Sequence, residues 1–495
     1  MKRREFISKS VTFGAAAVTP LSLSQSLFAA ELPSNIVDMD ALTLSRAIHD
    51  KQVRCYEVME AYLDHIDQHN PVYNAIVSML DRDVLLRHAL LADESLENGD
   101  DKGWMHGFPF AVKDLRAVAG LRYTSGSPMF ADRVAERDDV MVGRLRSAGV
   151  VFMGKTNTPE FGLGSQSYNP VFGATGSAWN PALTSGGSSG GAASGLGTHM
   201  LPVADGSDMM GSLRNPGAFN NVIGFRPSVN LMSGTESEPR PLSTSGPMGR
   251  NVADTIALLG TIAASSLGRD FAPLNLSDSK IAWFGDLGGY LAMEPGILEL
   301  CESSLQTVAD AGAQVEATLP LFTLSDLWEC WTTLRHTGRG RSSRRYYDDP
   351  EMRPLMKPEL IWEVEQSLIL TAGDESNARR IRAAWMRELD RLFEQYDFLV
   401  LPTAQVFPYP KEQHWPQAVN GRAMDTYHRW MEVVILGSLG GIPVINVPVG
   451  FDAQGRPMGM QIMGKYGDDK KVLEFGLAYE QITNFLSQRP QLQSA

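Results

Sequence analysis

The hydrophobic pattern changes period several times along the chain, and each change marks an element. In "TLSRAIHDKQVRCYEVMEAYLDHIDQHN", residues 43–70, the apolar positions Val58, Tyr62 and Ile66 recur every four residues. That spacing predicts two amphipathic helices, the second broken by Asn70–Pro71. "GFPFAVKDL", residues 107–115, is a short apolar run that ends on a charged pair, which predicts a buried strand. "VMVGRLRSAGVVFMGKTN" predicts a helix stopped at Gly149 and then the strand "VVFMG". "KIAWFGD" (280–286) predicts another strand. A helix through Ile297, Leu300, Leu305 and Val308 follows, then "QVEATLP", in a βαβ-like order. The order repeats when Ile381, Trp385, Leu389, Leu392 and Phe393 line one helical face ahead of "FLVLP". "GIPVINVPVGF" and "MGMQIMGK" predict two late strands, with a last helix after Asp468.

Strands and helices alternate throughout, with no repeat and no low-complexity linker. The pattern predicts an α/β fold: a single large domain with a mixed, twisted central sheet covered by helices on both faces. Residues 320–375 break the alternation. They are aromatic-rich and irregular in pattern, and are expected to form an insertion or a lid.

Composition narrows the chemistry. The 495 residues are 43% hydrophobic, enough for a large core, and carry a formal charge of −13. Such an acidic chain argues against nucleic acid or an anionic membrane surface as partner. No internal apolar run approaches the roughly 20 residues that span a bilayer. Cys55, Cys301 and Cys330 are scattered without CxxC spacing, and read as buried free thiols more readily than as a disulfide. Without HExxH or clustered histidines, no metal site is expected.

The first thirty residues differ from the rest. "MKRREFISKS" is basic, a mild apolar stretch follows, and Ala29–Ala30 close it. This is the order of an export signal, and Arg3–Arg4 before "EFI" resembles a twin-arginine signal. The expectation is a signal over residues 1–30, a single mature domain over 31–495, and a periplasmic or secreted protein.

From Asn169 to Gly224 the chain is rich in Gly, Ser and Asn, as where backbone must approach something closely. Two serine-bearing segments stand out, "SGGSSGG" (185–191) and "GSDMMGS" (206–212). A flexible loop is disfavoured because "AASGLG" next to the first suits a tightly packed helix. A phosphate loop is disfavoured because GK[ST] is missing. Ser212 is a candidate nucleophile, yet none of the nine histidines lies close to it in sequence. Lys113, at the end of "FAVKD", reads as a snorkelling surface charge or as a base. A lysine held out of water has a lowered pKa, and a neutral lysine accepts a proton near pH 7.

The ordered segments "GFPFAVKD", "GKTNTPEF", "SGGSSGG", "GSDMMGSLRNP", "GFRPS" and "GIPVINVPVGFDAQGRPMGMQIMG" resemble the amidase signature family over nearly the whole chain beyond the signal, with the core motif region at 107–230. Ser188 and Ser212 stand 24 residues apart, as in that family's motif. The resemblance implies Ser212 as nucleophile, Ser188 as bridging serine after a cis peptide, and Lys113 as base. It implies an oxyanion hole from the backbone N–H groups of Met209, Met210, Gly211 and Ser212. Asp208, Arg214 and Ser189 become supports. It further implies a small-molecule amide substrate and no cofactor, and it allows a homodimer.

Three positions depart from the family pattern. Met210 replaces the first of two glycines before the nucleophile, and its side chain either narrows the acyl pocket or marks lost activity. Asn221 and Asn230 also stand where glycine is common, and asparagine tolerates left-handed angles. Alternatives to an amidase are an esterase or carbamate hydrolase using the same site, a glutaminase subunit of a tRNA amidotransferase (disfavoured by the export signal), and an inactive amide-binding homologue. Substrate identity stays open. The five arginines from Arg335 to Arg345 read either as a reader of an anionic substrate group or as a solvated face beside Asp348 and Asp349. Trp328, Trp331, Tyr346, Tyr347 and Trp362 read either as an acyl funnel or as core.

Overall fold

Eight strands form the main sheet of the computed structural model, in the order Gln314–Ala317, Lys280–Trp283, Phe398–Pro402, Pro457–Met463, Val444–Phe451, Ile223–Arg226, Thr244–Gly249, Val203–Asp208. The first three are mutually parallel and all later neighbours are antiparallel, so the sheet is mixed. The parallel part arises from the two predicted strand–helix–strand repeats, whose helices are Ile297–Asp310 and Ala372–Phe393. The antiparallel centre is the late pair, whose register runs from Val444 opposite Met463 to Phe451 opposite Pro457. Helices flank the sheet, among them Arg214–Asn220 and Ile297–Asp310 against the two late strands. The structure describes residue 33 and residues 35–494 except 238 and 269. Residues 35–494 belong to one compact unit, Asn35–Ala495. The expected signal at 1–30 lies outside the described residues.

The Lys113 strand does not join the eight-stranded ladder. Pro109–Lys113 and Val151–Thr156 run parallel in a small sheet of their own, completed by Ile76–Val77. Gly149 sits between helix Val140–Ser147 and its strand with φ +85, the left-handed stop its position suggested.

Two local expectations are corrected. The helix expected to break at Asn70–Pro71 runs from Cys55 to Tyr73 with Pro71 inside its last turn. Proline there removes one N–H from the carbonyl of residue 67, which lies on an exposed side of the helix. Asn70 still ends the helix, but further on: its Oδ1 accepts the N–H groups of Ala75 and Ile76, both at 2.9 Å. The irregular stretch 320–375 is mostly regular helix, Leu324–Tyr347 and Pro358–Ile369. Its pattern misled because polar residues are buried beside aromatic ones: Arg335, His336 and Glu363 are all sequestered and bonded to one another. Asn221 has φ +56, as its glycine-like position suggested, whereas Asn230 lies within the short helix Val229–Ser233. All three cysteines are buried free thiols.

Candidate active site

Lys113 ends a strand in which every residue is buried. Its backbone N–H donates to Asp205 Oδ1 at 3.0 Å, tying the small sheet to Val203–Asp208 at the edge of the large one. From there its Nζ meets three hydroxyls: Ser188 Oγ and Ser189 Oγ at 2.8 Å, and Ser207 Oγ at 3.1 Å. The side chain is 1% exposed. Burial lowers its pKa to about 7; Asp205 and Asp208 oppose that shift, and the Arg116 and Arg339 guanidinium groups add to it. Lys155, across the ladder from Val112, is also buried and pushed down to about 8. Its Nζ donates to the Arg116 carbonyl instead. Desolvation is shared by both lysines; the contact with serines distinguishes Lys113.

The sequence reading missed Asp205 and Ser207. They stand two apart on one strand, so their side chains leave the same face, and both touch Lys113. The available signal was a charged residue at the centre of "PVADGSD", where an edge strand should be apolar inward.

Ser188 follows a cis peptide at Gly187–Ser188 and opens helix Gly190–Gly197. That helix packs so closely that a Cβ on Gly191 would lie 2.3 Å from the Asn157 nitrogen. Ser189 N–H donates to the Ser212 carbonyl at 3.3 Å, which joins the two serine segments.

Ser212 is 8% exposed and is held from both sides by one carboxylate. Asp208 accepts the N–H of Gly211 at 3.0 Å and of Leu213 at 3.1 Å. It also takes a bidentate bond from Arg214, Nε at 3.0 Å and Nη2 at 2.9 Å. Arg214 is anchored in turn by the Val434 carbonyl, Gln461 Oε1 and Ser438 Oγ. Arg226, which the sequence reading did not single out, adds a third cationic contact to Asp208 at 3.3 Å. All three side chains are fully buried. Burial alone would raise the Asp208 carboxyl, but the Arg214 and Arg226 charges hold it well below the usual carboxylate range.

This arrangement divides the amides of the loop. The Gly211 N–H is spent on Asp208. The N–H groups of Met209, Met210 and Ser212 take no acceptor among the described residues. Gly211 has φ +78, and a Cβ there would strike Asn215 Oδ1 at 2.1 Å. Met210 is 3% exposed within the main hydrophobic core and does not have a positive φ. Met209 is the partly exposed one, with its Sδ 3.7 Å from Arg335 Nη1.

Trp328 and Trp331 belong to the core rather than to a funnel. Trp362 lines a cavity of about 850 Å³, with Glu160, Tyr168, His414, Trp415 and Tyr427 among its other walls. Tyr346 packs instead on Phe161.

A family model described as amidase matches residues 57–473. An acylamidase of Rhodococcus erythropolis is 30% identical over 472 residues, covering 92% of this chain and 98% of the relative. The A-type subunit of a glutamyl-tRNA(Gln) amidotransferase from Thermosynechococcus vestitus is 29% identical over 484 residues, covering 91% and 99%. Among solved structures, a bacterial aryl acylamidase of the amidase signature family superposes with a TM-score of 0.82 at 24% identity, covering 92% and 99%. A buried lysine on a serine pair, a carboxylate-braced serine loop and a family match over most of the length lead to one conclusion: the chain belongs to the amidase family of enzymes, which hydrolyse amide C–N bonds.

Proposed function

We propose that the protein hydrolyses a small carboxylic amide through an acyl-enzyme on Ser212, with Ser188 and Lys113 as its proton relay. The observation that carries this reading is Lys113 Nζ, sequestered and 2.8 Å from Ser188 Oγ. Neutral Lys113 takes the Ser188 proton as Ser188 takes that of Ser212. Ser212 Oγ then attacks the carbonyl carbon, and the oxyanion forms against the free N–H groups of Met209, Met210 and Ser212. The C–N bond breaks as the relay returns the proton to the amine. Water, deprotonated the same way, cleaves the ester to acid and free Ser212. Each oxyanion donor is worth about 10²–10³ in rate.

The base must be neutral to act. kcat/KM is therefore expected to rise with pH through about 7 and to level off above it. A profile flat from pH 5 to 9 would remove Lys113 from the role.

Met210 tunes the acyl pocket in this reading. Its φ suits any residue, and its N–H remains a donor. Met210→Gly should keep activity and raise kcat/KM for a branched over a short acyl amide. Because the side chain is buried, the variant should also lose about 2–5 kcal/mol of stability. An unchanged substrate ratio would mean that Met210 does not shape the pocket.

The R. erythropolis relative supports an acylamidase type of substrate. The amidotransferase relative favours a second reading, in which glutamine is the amide and ammonia passes to a partner. Assaying free glutamine beside acyl anilides and their ester and carbamate analogues separates these. The acidic chain supports a partner other than nucleic acid.

Export is part of the proposal and rests on Arg3–Arg4 and the apolar stretch after them. Replacing both arginines by lysine should leave the protein in the cytoplasm. Export of that variant would sink the twin-arginine route.

A further inference from the structure

The helix Leu324–Tyr347 carries five arginines between 335 and 345. Four have partners: Arg335 with Glu363 and Tyr427, Arg341 with Glu375, Arg344 with Asp348, and Arg345 on the Tyr346 ring. Arg339 does not. It is half-buried, and among the described residues its guanidinium makes no hydrogen bond, ion pair or ring contact; the carboxylate whose charge reaches it, Glu363, is already bonded to Arg335 and His336.

Its neighbours on the same face place it. Arg335, one turn earlier, lies 3.7 Å from Met209 Sδ, on the Ser212 loop. Tyr346, two turns later, stacks on Phe161 with ring centroids 6.0 Å apart. Phe161 precedes Gly162, where a Cβ would stand 3.3 Å from Ser188 Oγ. Arg339 thus sits on the length of helix that bridges the Ser212 loop and the Ser188 segment. Its charge is felt at Lys113. The other cation felt there, Arg116, is already paired with Asp139 at 3.0 Å.

An unpaired guanidinium drawn partly out of water is costly, and the cost is recovered when an anion arrives. Resting on the amidase reading above, we propose that Arg339 binds a carboxylate of the substrate, so that the preferred amides carry a carboxylate besides the scissile bond. The planar guanidinium suits bidentate capture of such a group.

Two matched pairs test this: succinamate against butyramide, and N-acetylglycine against N-propylacetamide. In at least one pair kcat/KM should favour the carboxylate by about tenfold or more. Arg339→Gln should collapse that ratio towards one, and Arg339→Lys should keep part of it. The charges facing Lys113 are Asp205, Asp208, Arg116 and Arg339. Losing Arg339 should therefore move the acid limb of kcat/KM to higher pH, which a merely structural role would not do. Calorimetry with succinate and 1,4-butanediol on Ser212→Ala protein gives a measure that needs no turnover. Succinate should bind more tightly than the diol, and lose that advantage in Ser212→Ala/Arg339→Gln. Equal preference within both pairs, or succinate binding unchanged by the arginine substitution, overturns the assignment of Arg339. Failure of every amide to turn over overturns the amidase reading alone, because succinate binding still decides Arg339.

Discussion

Replacing Ser212 by alanine should abolish amide hydrolysis and leave the protein folded. The substitution removes one hydroxyl, and the contacts that brace the loop come from elsewhere. Asp208 accepts the N–H groups of residues 211 and 213, and Ser189 N–H meets the carbonyl of residue 212; all are backbone donors or acceptors that alanine keeps. The loss in kcat should be on the order of 10⁴–10⁶, the scale seen when a serine nucleophile is removed. Lys113→Ala and Ser188→Ala should each lose most activity. Because Lys113 Nζ and Ser188 Oγ act on a single proton path, the double variant should be little worse than the worse single one. Steady-state rates for the three singles and the double decide it. A fully additive loss would mean that lysine and serine act independently. Lys113→Ala also leaves Ser189 and Ser207 without their shared donor, so circular dichroism should accompany the kinetics.

Asp208→Asn should cost both stability and activity. The carboxylate faces two fully buried arginines and accepts two backbone N–H groups. An amide keeps one acceptor oxygen but leaves the Arg214 and Arg226 charges uncompensated, a change worth about 3–5 kcal/mol in buried pairs. The urea midpoint should fall accordingly. Activity should fall with it, since Gly211 and Leu213 lose the anchor that sets Ser212 between them. The pH dependence has a definite sign. The folded carboxyl lies below its unfolded value near 3.9, so its stabilisation is present above about pH 4 and is lost as the pH falls further. The wild type should therefore lose stability more steeply than the variant below pH 4. Parallel curves would mean that Asp208 contributes nothing as a charge.

Much of this was legible along the chain. The strand ending at Lys113, the Gly149 stop, the two strand–helix–strand repeats and the late strand pair all follow from periodicity and glycine placement. So do the two serine segments and the glycine-like angle at Asn221. These are local properties: a period of two or near four reports which face of a single element is apolar, and a left-handed turn needs a residue that tolerates it. Where periodicity failed, the cause was burial of polar groups. The helices of 320–375 look irregular because Arg335, His336 and Glu363 satisfy one another inside the fold.

Tertiary structure decided everything that depends on approach between distant residues. Lys113 and Lys155 are both buried lysines on neighbouring strands, and only the packing of residues 185–191 against Lys113 separates their roles. Asp205 and Ser207 touch Lys113 because two sheets meet at that edge, 92 and 94 residues along the chain. The Gly211 amide is withdrawn from the loop's free donors by a carboxylate three residues away, a choice set by backbone angles that composition does not encode. Arg339 is distinguished from four other arginines on its helix only by what each one meets. Charge and hydrogen-bond energies fall off within a few ångströms, so the sequence supplies the groups, and the folded distances determine which of them act together.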